Sequence, residues 1–273
     1  MINTTGILRL LVTLAVVAGY SIPAQAGWVE VDNHGRTSYF SSDGKVTNAA
    51  NEPGGMWNII DFEAGTMTMV APKSKSYAKS TMKQYCEEMS AFMEKYLKEA
   101  MKDMPPEQRS MMEQMKKRVI DMPKPKVAVV KKGAGGIIAG HKTVLYSVTV
   151  NGRPYKDVWI AQEGAFVKDM KKYMKKADEM SKKMDSCISE ASGSMASNPE
   201  NSPQYTELMF KGWLMKEVTK DGQMGGMGSM GDAGNMEIVK LEKKKIPASK
   251  FLPPAGYKKR SISAMMSGIM GGE

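Results

Sequence analysis

Methionine is the most abundant residue type here with unusual ligand chemistry: 27 of 273 residues, against 2 His and 2 Cys. Met224, Met227, Met230 and Met236 recur through the glycine-rich stretch 222–236. Soft thioethers select Cu(I) or Ag(I), and a flexible loop can gather three of them around one ion. A plain hairpin loop in a methionine-biased chain is the alternative for this stretch. Two histidines and two cysteines leave few ligands for zinc and little for histidine-based catalysis. Neither His34 nor His141 has a Ser or Cys placed as a nucleophile, and no His-Glu-x-x-His pattern occurs. The stretch Gly133–Thr143 looks superficially like a phosphate loop. It fails in detail, because His141 follows Gly140 where a Walker lysine belongs and strand residues come next. It reads as a flexible β-turn. No catalytic residue and no obligate cofactor is assigned, and the expected function is non-enzymatic.

A second group of methionines falls at helical spacing. Met82, Met89, Phe92 and Met93 share one face of a helix expected over 80–103, and Met170, Met174 and Met184 share one face of a helix expected over 164–190. Such residues are flexible core fillers, and the same flexibility suits a cavity that repacks around acyl chains of different length. The expected ligand site is therefore an apolar cavity between these helices and a sheet. Cys86 and Cys187 lie on the apolar sides of the same two helices, and a disulfide joining them is the preferred reading. Two buried thiols are the alternative, and a redox site is disfavoured because there is no Cys-x-x-Cys.

The elements that must position these residues are alternating strands and two long helices. Strands are expected at 28–32, 37–40, 56–62 and 66–70, with Asp43-Gly44 as a hairpin signal. More follow at 126–130, 142–150 and 155–161 with Asn151-Gly152 as a turn, and the last at 213–219 and 237–241. A shorter helix is expected at 107–120 and a helical turn at 205–210. Residues 1–26 read as a signal peptide: Arg9, an apolar run over 10–18, then Ala24-Gln25-Ala26 before the cleavage point. The run is too short to span a bilayer, so no transmembrane anchor is expected after cleavage. Residues 27–273 read as one α+β domain carrying the methionine/glycine-rich loop 222–236 and a flexible tail at 260–273.

Charge narrows the partners. Without the leader the chain holds 38 basic against 29 acidic residues. That excess favours anionic lipid headgroups or an acidic envelope protein. Nucleic acid is disfavoured by the exported location, periplasmic or secreted, and by lysines spread along helices without interleaved aromatics. Met56–Asp61, Gly65–Met69, Ile138–Tyr146, Asp157–Ala161 and Ile246–Lys258 together resemble the exported bacterial domain-of-unknown-function family numbered 4412. Thr143 stands where that family often has cysteine. The family is similar to the periplasmic lipoprotein-carrier half-barrel. The resemblance implies a curved antiparallel sheet, a half-open β-barrel whose concave face is covered by amphipathic helices and holds acyl chains. The expected function is sequestration of an acyl chain, lipid or lipidated peptide. Cu(I) or Ag(I) buffering and an envelope interaction module without a small ligand are the rivals.

Overall fold

A computed structural model describes residues 24–48, 55–102, 104–108, 110–111, 114, 125–192, 199–220 and 235–270. Twelve strands form one curved, open sheet with helices laid across it, an α+β architecture. The first six are β1 (Ala24–Asp32), β2 (Thr37–Ser41), β3 (Lys45–Asn48), β4 (Trp57–Asp61), β5 (Thr66–Ala71) and β6 (Ser76–Thr81), an antiparallel meander. Helix α1 (Met82–Lys102) follows directly. A second meander contains β7 (Val127–Ile138), β8 (His141–Val150), β9 (Arg153–Ala161) and, after α2 (Ala165–Ser192) and α3 (Pro203–Phe210), β10 (Trp213–Thr219). Strand β11 (Met236–Pro247) joins the halves, pairing with β10 at its start and with β1 along most of its length. A short β12 (Lys258–Lys259), parallel to β6, and helix α4 (Ile262–Met270) complete the chain.

Alternation along the strands separates two faces. Met67, Met69 and Ala71 of β5 point to the concave face and meet α1, α4 and Met180 and Met184 of α2. The first turns of α2 lie further along the same face, with Phe166, Met170 and Tyr173 buried against Trp28, Phe40 and Val46. The opposite face is covered more lightly. There Tyr205 and Leu208 of α3 pack on β7–β9, and Phe251 packs on Val29, Ile59, Val70 and Ile246. Gly44 sits in the β2–β3 turn at φ +85°, and a Cβ there would strike the Tyr173 ring. That turn therefore requires glycine for both its backbone and its contact with α2. No helix among the described residues is long and apolar enough to cross a membrane.

Several boundaries differ from the sequence expectation, each for a physical reason. Strand β6 was not anticipated because its inward residues are Ser76, Ala78 and Ser80, small side chains that give no hydrophobic alternation yet are buried. Helix α1 starts where a capping box sets it: Gln84 N donates to Thr81 Oγ1 at 3.2 Å and Thr81 N donates to Gln84 Oε1 at 3.1 Å. The glycine run 133–136 is strand rather than flexible turn. Two register shifts in β7 fall at Lys131/Gly133 and Ala134/Gly136, with Gly133 and Gly136 at positive φ. Gly135 supplies room, since a Cβ there would lie 2.6 Å from Thr143 Oγ1 and from the Trp159 ring. The turn itself is Ala139-Gly140. Residues 262–270, expected within a flexible tail, form α4, whose Ile262 and Met265 are buried and whose Ile262 N donates to Glu88 Oε2 of α1 at 2.8 Å.

Residues 1–23 of the expected leader lie outside the described residues, while Ala24–Ala26 pair with Lys245–Pro247 as the first rungs of β1. Most of the helix expected at 107–120 also lies outside them. Cys86 of α1 is disulfide-bonded, and its Sγ lies 3.7 Å from the Lys183 carbonyl oxygen of α2. Cys187, the chain's one other cysteine, stands a helical turn further along, its side chain outside the described residues. A Cys86–Cys187 bond closes a loop of about 100 residues, so Cys86→Ser is expected to lower unfolding free energy by about 3–5 kcal/mol. Chemical denaturation of the oxidised protein and the variant checks this, and a loss below about 1 kcal/mol would refute the cross-link as a stabiliser.

Candidate functional site

The seven residues expected to line an apolar cavity do not line one together. Met82, Met89 and Phe92 are buried, with Met93 and Met184 packed against them, in a cluster shared with Met67, Met69, Ile262 and Met265. Met170 belongs to the separate cluster around Trp28, Phe40 and Phe166. Met174, half-buried one turn further along α2, is the member that reaches a groove. Of the methionines read as soft-metal ligands, Met224, Met227 and Met230 lie outside the described residues. Met236 is at the start of β11, packed beside Ile238 and Met215. Among the described residues no three His, Cys, Asp or Glu side chains converge as a metal site.

The groove at Met174 is built where β9 ends and α2 and α3 converge. Gly164, at φ +119°, opens α2 with the His141 ring packed close to it. Gly212 follows α3 against the Ala161 carbonyl, where any Cβ would collide. These two close approaches bring Val167, Lys168, Lys171 and Met174 of α2 to face Phe210 and Lys211, enclosing about 470 Å³. Helix α3 is fixed by Ser202, whose Oγ accepts from Tyr205 N at 3.2 Å, and by Pro203 in its first turn. A second cavity of about 660 Å³ lies on the other side of Gln162 and Lys211, against Val129, Lys131, Tyr146 and Gln204. Gln162 Nε2 donates to the Tyr146 hydroxyl at 3.0 Å, which holds one of the two residues common to both cavities. Both volumes are in the range of small-ligand sites. Phe210 is 39% exposed although it is aromatic, and Lys168 and Lys171 make no ion pair among the described residues.

Two clusters of ionisable groups flank this region. On the α3 side, Lys156 is almost fully buried and paired with Glu200 and with Glu217 at 3.2 Å. Burial alone would lower its pKa, but the two carboxylates hold it above its ordinary value. Burial and Glu200 push the neighbouring Tyr155 hydroxyl up to about 12, and Tyr205 is raised too, chiefly by burial. This satisfied network ties residues 199–201 to the sheet and offers no reactive group. On the concave side, Glu30 of β1 is half-buried beneath α2, and its Oε2 accepts from Trp213 Nε1 at 2.8 Å. Burial pushes its carboxyl up to about 7, Asp32 adds to the rise, and the Trp213 bond and Arg36 oppose it. Arg36 gives little relief because it is engaged with Asp32.

Sequence reasoning did not single out Gln162, Lys168, Phe210, Lys211 or Glu30 as site residues. A charge between apolar neighbours at Val29-Glu30-Val31 is a local signal for Glu30, but the groove joins segments some 40 residues apart and has none. Between the unfolded value near 4.5 and about 7, the folded protein holds a proton on Glu30 that the unfolded chain releases. Stability from this group is therefore full below 4.5, falls as pH rises through that window, and is lost above it, by at most about 3 kcal/mol. Glu30→Gln is expected to match the parent at pH 4 and exceed it at pH 8 by about 1–3 kcal/mol. Urea midpoints at the two pH values check this, and an unchanged pH dependence in the variant would refute it. No protein-family model and no curated protein matches the chain, so function is inferred from its own residues and geometry.

Proposed function

We propose that this is an exported, non-enzymatic binding protein that holds an apolar ligand, an acyl chain, lipid or lipidated peptide, in the groove between α2 and α3. The observation that carries the reading is the cavity of about 470 Å³ with Val167, Met174 and the exposed Phe210 as apolar wall, beside a second of about 660 Å³ that shares Gln162 and Lys211 with it. The methionines at the α1–α2 contact favour this groove over a cavity between those helices and the sheet, because they are packed on one another and on β5. A ligand there would have to displace core side chains, at a cost the open groove does not impose. The half-barrel resemblance supports the ligand class by analogy alone.

Binding is driven by removal of apolar area from water, about 0.8 kcal/mol per methylene, so two added methylenes strengthen binding about tenfold until the groove is full. The test is titration of a fluorescent fatty-acid probe into the protein without its first 26 residues. Met174→Trp, which fills the groove, is expected to weaken the probe at least tenfold. Phe210→Ala, which removes one wall, should weaken it several-fold, with far-ultraviolet circular dichroism unchanged in both. Saturable binding unaffected by either substitution would place the site elsewhere. Absence of binding by the parent protein would leave an interaction module without a small ligand as the better reading.

A further inference from the structure

We propose that the ligand of this groove is a single-chain amphiphile with an anionic head, the head held by Lys168, Lys171 and Lys211 and the chain laid on Met174 and Phe210. This inference rests on the binding reading above and adds the chemical class. Lys168 and Lys171 are three residues apart, so they stand on one side of α2 within its first two turns. The helix N-terminus adds positive potential at the same end. Lys211 faces them across the groove and is shared by both cavities. It is paired with Glu207 at 3.0 Å, which lines the second cavity but not the first. The first cavity thus carries three ammonium groups and one carboxylate, Glu163. Between those cations sit a half-buried thioether and a ring 39% exposed.

That combination is not accounted for by packing within the chain. Exposed lysines alone are an ordinary solvated surface, and one exposed ring is ordinary too. Cations bordering uncovered apolar surface inside a concave site complement a molecule with both properties, and neither a free small anion nor a neutral chain uses both. A cationic head would be repelled here, and a bulky two-chain lipid would exceed the first cavity.

Calorimetric titration of the protein lacking residues 1–26 with decanoate, decanol, acetate and inorganic phosphate tests the inference. Decanoate is expected to bind at least tenfold more tightly than decanol at low salt, with the preference shrinking several-fold at 0.5 M salt. Lys168→Gln/Lys171→Gln should remove most of the decanoate-over-decanol preference, and Lys168→Arg/Lys171→Arg should keep it. Both substitutions sit on an exposed helix surface, and circular dichroism confirms that each variant is folded. Equal binding of decanoate and decanol would overturn the anionic head and leave apolar binding standing. Failure of both to bind would overturn the binding reading itself. Acetate or phosphate matching decanoate would overturn the amphiphile in favour of a simple anion site.

Discussion

Phe166 is fully buried where α2 crosses the junction between the two meanders, and its ring meets Trp28 of β1, Phe40 of β2 and Trp213 of β10 edge-to-face, with centroids 4.7–5.5 Å apart. Phe40 and Trp213 close the cluster at 5.3 Å. Each such pair contributes about 0.5–1.5 kcal/mol beyond the area it buries. More important is where the rings come from. The first meander supplies two, the second supplies one and the helix supplies the fourth, so the cluster fastens both halves of an open sheet at one point. Each tryptophan also satisfies its indole N–H: Trp28 donates to Asp169 of α2 at 2.9 Å and Trp213 donates to Glu30. The seat thus adds to β11 pairing and to the α1–α2 contact in holding the halves together.

The seat fixes the groove as well. At 100° per residue, burying Phe166, Met170 and Tyr173 turns Lys168, Lys171 and, less completely, Val167 and Met174 toward the side where α3 ends. Tyr173 finishes the placement by donating its hydroxyl to the Ser42 carbonyl at 2.9 Å, and Lys176 pairs with Glu63 beyond it. One wall of the groove is therefore as rigid as the core. The other depends on Gly212 and the Ser202 cap, a lighter attachment on the opposite face of the sheet. Of the two walls, the α3 side, where Phe210 lines the groove, is the less tightly held.

Much of this architecture was legible in the sequence. The helical spacing of Met82, Met89 and Phe92 marked α1, and Asn151-Gly152, at φ +51° and +78°, marked the β8–β9 turn. The misses have a common cause: the element is decided by pairing and covering from distant segments rather than by a local hydrophobic pattern. Ser76 and Ser80 are buried because β6 lies under α1 and α4, a fact that depends on the tertiary fold. Lys243–Lys245 extend β11 although three consecutive lysines suggest a loop, because β1 supplies the opposite hydrogen bonds and their side chains stay in solvent. The thioether pattern correctly identified a methionine-built core. Spacing alone did not distinguish methionines packed on one another from methionines beside an empty groove, because both lie on the same apolar helix face.

Net charge, too, acquires meaning only through placement. A formal +10 could serve any anionic partner. Many of the lysines are matched locally and add nothing to that excess: Lys243 pairs with Asp169, Lys240 and Lys244 share Glu242, and Lys216 pairs with Glu237 across β10 and β11. Lys95 and Lys98 of α1 are also exposed, but they alternate with Glu94 and Glu99 on a convex helix surface, where water solvates ions without competition. What distinguishes Lys168, Lys171 and Lys211 is the concavity between them and the apolar surface at its floor. An ion bound there shares its cations with a wall that excludes part of the solvent, so the same Coulombic attraction is screened less than on α1. The shape that α2 and α3 impose on these few ordinary lysines, and with it their concave setting, rests in turn on the Phe166 seat rather than on any charged residue.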